Sequence, residues 1–282
     1  MKRGYADTPE GQVHYLVEGQ GEPLLLLHQT GSSRQFWRLM PLLAKAYKVY
    51  ALDTLGSGNS DPLPANVQIP DLARNVVHAM DFLGIQKAHL FGYHTGNKIG
   101  TELAASSPQR VDRLILCGNT HSIQAEHADL VAVMGGRVMP RLKNFEDAAD
   151  GSHLLKQWAA EFSKFSTAWW DTTSFAHEAL TPELFQRRKE RIMDQLQARD
   201  EAEKYRAIFS MDLGARMRQI KARTLIIEVR VPDESHLSPQ GEKLLKLIPD
   251  SRLATVEHST GGMVVEAGAA DELARLILDF LR

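Results

Sequence analysis

The sequence predicts an α/β fold: a mostly parallel sheet with helices on both faces, interrupted by a helical insertion. Three observations carry this expectation. Short apolar runs alternate with stretches of helical spacing as far as Cys117, the alternation stops there, and it resumes at Thr224. Strand, helix, strand in regular succession is the pattern of parallel strands joined by crossover helices.

Taken in order, Gly11 to Gly19 alternates around Val13, Tyr15 and Val17, as a half-buried strand at a wet sheet edge does. Pro23 to His28 is a continuous apolar run, the pattern of a strand covered on both faces. Further strands are expected at Lys48 to Leu52, Ala88 to Phe91 and Arg113 to Cys117. Between them, Leu72, Val76, Val77, Met80, Phe82 and Leu83 have the spacing of one helix face, and a second helix is expected over Asn97 to Ala105. From about His121 to Arg218 no strand is apparent; this stretch holds every tryptophan except Trp37 and a charged helical segment, Phe185 to Lys204. Its pairs Arg187 with Glu190 and Arg191 with Asp194 read as the solvated face of a helix. A strand returns at Thr224 to Val229, followed by a helix at Gln240 to Ile248, a strand at Arg252 to Glu257 and an amphipathic helix at Asp271 to Leu281. The expected organisation is a core of residues 1–120 and 219–282 with a helical cap over residues 121–218.

At 282 residues the chain has room for about two average domains, or one large domain with an insertion. A formal charge of −2 leaves no global field that favours nucleic acid or an anionic membrane. The lone Cys117 can form no internal disulfide, which fits a reducing cytoplasm, and in its apolar strand it reads as a small core residue. Met1 to Gly11 lacks the apolar stretch of a secretion signal, and the longest aliphatic run, Leu24 to Leu27, is far short of the ~20 residues that span a bilayer. The expected partner is a small-molecule substrate, with a homodimer as an open option, and with neither nucleic acid nor membrane.

In an open parallel sheet ligands collect beyond the carboxyl ends of the strands. The residues there are His28, Asp53, His94, Gly118 to His121, Glu228 to Asp233 and His258, so that four of the eleven histidines fall at or just past strand ends. Phe91-Gly92-Tyr93-His94-Thr95-Gly96 runs from a strand straight into a helix, with glycine on both sides of the central turn. Such glycines permit a tight, strained turn that lifts the middle side chain above the sheet.

This segment resembles the nucleophile elbow of the α/β-hydrolase fold, G-x-S-x-G, with His94 where that family has serine. Leu24 to Gly31 with Trp37 resembles the segment that supplies half of the oxyanion hole, and Asp53 to Asp61 resembles the D-x-x-G-x-G-x-S-D turn. Met211-Asp212-Leu213 and Ile220 to Ile227 resemble the return into the penultimate strand. The resemblance implies an eight-stranded sheet, a helical cap, and an oxyanion site from the amides of Thr95 and of Gln29 or Thr30. His28, His121 and Trp169 are the remaining candidates for contact with substrate.

The departures fall on the catalytic positions. The acid of the family follows the penultimate strand; here Asp233 is the nearest candidate and Glu228 the second. The base follows the last strand, where either His258 stands near the site or Gly262 takes the place of the histidine. A standard Ser-His-Asp set is therefore not supported. Imidazole is itself a nucleophile toward activated acyl groups, and it also serves as a general base with Glu228 or Asp233 orienting it. A zinc or iron site of His94 with His28, His121 or His258 has no local H-x-x-x-H or H-E-x-x-H spacing behind it, so no metal is expected. The absence of G-x-G-x-x-G at a strand-to-helix turn disfavours a dinucleotide, and no cofactor is expected. Asp53 reads as the brace of its glycine turn. The expected function is hydrolysis of a small, largely apolar ester or carbonyl compound at His94. Alternatives are a lyase, isomerase or cofactor-free oxygen-using enzyme on the same fold, and a ligand-binding pseudoenzyme.

Overall fold

A computed structural model describes residues 1–29, 31–118, 148–156, 201–230, 239–257 and 269–282, with positions 182, 186, 189–190 and 193–194. Eight strands form one sheet in the order β1-β2-β4-β3-β5-β6-β7-β8. They are β1 (Lys2–Thr8), β2 (Gly11–Glu18), β3 (Pro23–Leu27), β4 (Lys48–Leu52), β5 (Ala88–Tyr93), β6 (Val111–Cys117), β7 (Arg223–Arg230) and β8 (Ser251–Glu257). β1 pairs antiparallel with β2 and β2 antiparallel with β4, while every pair from β4 to β8 is parallel.

Because side chains alternate across a strand, each central strand feeds two cores. Leu25, Leu27, Leu52, Leu90, Leu114 and Ile226 point to one face, where they meet α2 (Ile69–Phe82), α3 (Thr95–Ser106) and α4 (Glu201–Ser210). Leu24, Leu26, Ala51, Phe91, Ile115 and Ile227 point to the other, against α1 (Leu39–Leu43) and the C-terminal α7 (Ala270–Leu281). All four leucines of β3 are fully buried, which explains their uninterrupted apolar run. Two short helices complete the described core: α5 (Leu213–Met217) on the α3 side and α6 (Gly241–Leu247) between β7 and β8. The segments α4 and α5, which sequence spacing assigns to the insertion, pack Ala207, Ile208, Phe209, Leu213 and Met217 into the core.

The sheet edge differs from expectation. Lys2–Thr8 is the edge strand, so Gly11–Glu18 lies one place inside it. β1 is mostly exposed, and its residues Lys2, Arg3 and Asp7 carry the charge that protects an edge from pairing with another chain.

Candidate active site

The chain runs from β3 through α1 to its neighbour β4, then returns over the opposite face through α2 to β5 on the other side of β3. Successive crossovers on opposite faces leave a crevice beyond the carboxyl ends of β3 and β5, the usual place for a ligand in such sheets. His28 follows β3, and His94 follows β5 at the N-terminus of α3.

His94 sits at φ 47° and ψ −98°, a conformation that side-chain-bearing residues rarely adopt, and its amide donates to the Cys117 carbonyl at 3.1 Å. Two glycines make this turn possible. A Cβ on Gly92 would lie 2.5 Å from the Gly96 carbonyl oxygen, and one on Gly96 would press on the Leu27 carbonyl oxygen closer than the 3.0 Å that real Cβ atoms keep. The half-buried imidazole makes no capping bond to α3. It lies edge-to-face with the Tyr93 ring, with the centroids 4.3 Å apart. Thr95 is the first residue of α3, and the opening N–H groups of a helix have no intrahelical acceptor. On the facing loop, the Gln29 amide donates to Gln35 Oε1 at 3.4 Å.

His28 is fully buried and belongs to the frame of the crevice. Its Nδ1 bonds the Gln29 carbonyl and its Nε2 accepts from the Thr54 amide at 3.0 Å, so the ring is the neutral Nδ1–H form. Burial pushes its pKa down to about 4, against the pull of the Asp53 carboxylate. The folded value lies below the ordinary 6.5, so the stability His28 contributes is fully present above pH 6.5 and is lost as the pH falls toward 4, a span worth about 3 kcal/mol. Denaturant unfolding between pH 4 and 7 is expected to show this decline in the wild type and a flatter profile in His28→Gln.

Asp53 braces the glycine turn, as its setting suggests. Its carboxylate accepts from His14 Nδ1 at 2.9 Å, the Ser33 amide at 2.6 Å and the Asn59 amide at 3.0 Å. Burial raises its pKa, but these donors and His28 outweigh that and hold it below the ordinary carboxylate value. Gly58, at φ 53°, leaves the space the carboxylate fills. The Ser33 bond ties this turn to the loop after β3.

Glu228 lies near the end of β7, and its carboxylate is engaged by Arg230 and by the start of α6. Oε1 accepts from Arg230 Nε at 2.8 Å, and Oε2 accepts the amides of Gln240 at 2.8 Å and Gly241 at 2.6 Å. Burial raises its pKa, and the Gly241 amide, Arg230 and the Gln240 amide together bring it below the ordinary value. The group thus caps the start of α6. Asp194 also departs from expectation: it is buried rather than solvated, because Ser32 Oγ donates to one carboxylate oxygen and Arg34 Nη1 to the other at 2.6 Å. Burial outweighs these partners and raises its pKa. Asp194 therefore ties its helical segment to the loop after β3.

Comparison with known proteins places this architecture. A family model of the alpha/beta hydrolase fold matches residues 22–226. The chain belongs to that family. It is 29% identical over 289 residues to 2-hydroxy-6-oxo-6-phenylhexa-2,4-dienoate hydrolase of Comamonas testosteroni, covering 98% of this chain and 93% of that protein. It is 28% identical to 2-hydroxy-6-oxononadienedioate/2-hydroxy-6-oxononatrienedioate hydrolase 2 of Pseudomonas putida, covering 96% of this chain and 92% of that one. Among solved structures, a hydrolase from Pseudomonas aeruginosa superposes with a TM-score of 0.73 at 22% identity, covering 99% of this chain and 98% of its own. An enol-lactonase from Burkholderia xenovorans superposes at 0.68 with 20% identity, covering 99% of both chains.

Within this α/β-hydrolase frame, His28, Gln29, His94, Thr95 and Glu228 are described, whereas Thr30, His121, Trp169, Asp233 and His258 lie outside the described residues. Among the described residues no group of three His, Cys, Asp or Glu side chains is placed to hold a metal ion, and no helix is long and apolar enough to cross a membrane. Sequence reasoning missed Asn97 and Lys98. Asn97 bonds the end of β6, and Lys98 Nζ donates to the His94 carbonyl at 3.2 Å although its side chain is buried. Their only sequence signal is a polar pair on the first turn of a helix that is otherwise buried.

Proposed function

We propose that this chain is a hydrolase of a small, largely apolar ester or carbonyl compound, with His94 supplying the reacting nitrogen. The observation that carries the reading is an imidazole held on a strained elbow at the sheet crossover, next to the N-terminus of α3. The full-length relatives support the reaction class, since both are hydrolases whose names specify oxo-dienoate substrates, compounds with a carbonyl to attack.

In the nucleophilic form of the mechanism, a neutral His94 nitrogen adds its electron pair to the carbonyl carbon, and the carbonyl π pair moves to oxygen. The Thr95 amide, with the amide of Thr30, stabilises that oxyanion, since the Gln29 amide already donates to Gln35 Oε1. Collapse expels the leaving group, which takes the proton given up by the other nitrogen of the acylated ring, and water then cleaves the acyl-imidazole to the acid and free His94. In the general-base form, His94 takes a proton from water as the water adds to the same carbon. Asp233 and His258 are the residues proposed to orient the imidazole, and residues 121–218, with Trp169, are proposed to cover the substrate. Glu228 is proposed as a structural cap. Glu228→Ala is expected to lose about 1–3 kcal/mol of unfolding free energy while the pH dependence of kcat/KM keeps its shape.

Hydrolysis in water enriched in oxygen-18 tests the reaction class. One labelled oxygen in the acid product is the expected result; turnover without label would point to a lyase or isomerase. Added methanol separates the two forms. A methyl ester formed in a ratio independent of the leaving group marks a common acyl-imidazole, and a ratio that varies marks the general base.

A further inference from the structure

We propose that Gly118, clamped by Asn97, is the positioning seat of the His94 imidazole. The inference rests on the reading of His94 as the reacting group and names what orients it.

Gly118 follows β6 at φ 89°. A Cβ there would lie 2.9 Å from both Cε1 and Nε2 of His94 and 3.1 Å from Nδ1. A point approaching Cε1 in the plane of the ring would be clearly farther from the two nitrogens than from the carbon. Near-equal distances to the three atoms therefore put the place of that Cβ at the ring face. The imidazole face covers the space that a side chain at 118 would take, and the Tyr93 ring meets the imidazole at 66°. Two requirements thus meet at one position. The backbone needs a residue that adopts a positive φ, and the ring needs a residue with no side chain.

The seat is fixed from several directions. The Gly118 amide donates to the Ile227 carbonyl at 3.1 Å, joining it to β7. Asn97 Nδ2 donates to the Cys117 carbonyl at 2.8 Å and to the Gly118 carbonyl at 3.2 Å, and the Cys117 amide donates back to Asn97 Oδ1 at 3.1 Å. The Asn97 side chain thereby pairs with Cys117 as a neighbouring strand would. The Cys117 carbonyl also accepts the His94 amide, so one peptide holds the backbone of the reacting residue and leads directly to the floor under its ring. A serine at the elbow would end well short of this floor. Imidazole reaches it, and the missing side chain at 118 gives the larger ring its place.

The test is a double-mutant cycle on the full chain with wild type, Gly118→Ala, His94→Ala and the double variant, read by thermal unfolding. The positive φ strains alanine in both backgrounds, so that cost cancels and the ring contact remains. Gly118→Ala is expected to lower Tm by at least about 2 °C more with His94 present than with alanine there. Equal losses would overturn the seat. Should Gly118→Ala fail to fold, Asn97→Asp removes the donor to both carbonyls and keeps the acceptor. Carbethoxylation of His94 by diethyl pyrocarbonate, followed by peptide mass spectrometry, should then change in rate by several-fold while the other histidines act as internal standards. An unchanged rate at His94 would overturn the clamp. These readouts do not need turnover. If His94→Ala keeps full activity the reading of His94 as the reacting group fails alone, and if the cycle shows no coupling the seat fails alone.

Discussion

Gly96→Ala is expected to destabilise the fold by about 3 kcal/mol or more, seen as a lower urea midpoint with an unchanged slope. The added Cβ would press on the Leu27 carbonyl oxygen and lie 3.0 Å from the Leu27 Cβ. Leu27 is hydrogen-bonded between β4 and β5 in the middle of the sheet, so it has nowhere to retreat. A flexible side chain would give way cheaply; strand backbone does not. Gly100, one turn later on α3, is the control. A Cβ there would meet only Leu114 Cδ1 at 3.5 Å and Leu27 Cδ1 at 4.0 Å, ordinary contact distances. Gly100→Ala should be neutral or stabilising by up to about 1 kcal/mol, since alanine restricts the unfolded chain and favours helix. Losses of similar size in both variants would contradict the close packing of the elbow on β3.

The second large effect concerns activity. His94→Ala is expected to lower turnover by about 10²- to 10⁴-fold if the imidazole is a general base, and to remove the covalent route if it is the nucleophile. Alanine keeps the Cβ, so the backbone strain at φ 47° is the same in both proteins. The imidazole does not cap α3, which leaves the start of that helix and the Thr95 amide in place.

Much of the fold was legible because its signals are local. The leucine run of β3, the alternation in β2 and the paired glycines around His94 each leave their mark within a short stretch of sequence. β1 was not legible: an exposed edge strand buries only Ala6 fully, and one residue makes no period. Asp194 was misread for a related reason. Its spacing from Arg191 suits a solvated helix face, but its partners Ser32 and Arg34 lie about 160 residues away, and nothing local announces them. Glu228 was correctly placed at a strand end, yet the amides that engage it belong to the start of α6, and their convergence on one carboxylate is a tertiary fact. His28 illustrates the same limit. Its position after β3 suggests a site residue, whereas full burial and bonds from both ring nitrogens make it part of the frame.

The most direct measurement is release of nitrophenol from short-chain aryl esters by wild type beside His94→Ala, with unfolding midpoints recorded for both. The account predicts turnover above buffer in the wild type and its loss by 10²-fold or more in a variant that unfolds at about the same midpoint. Equal turnover in the two proteins would contradict it.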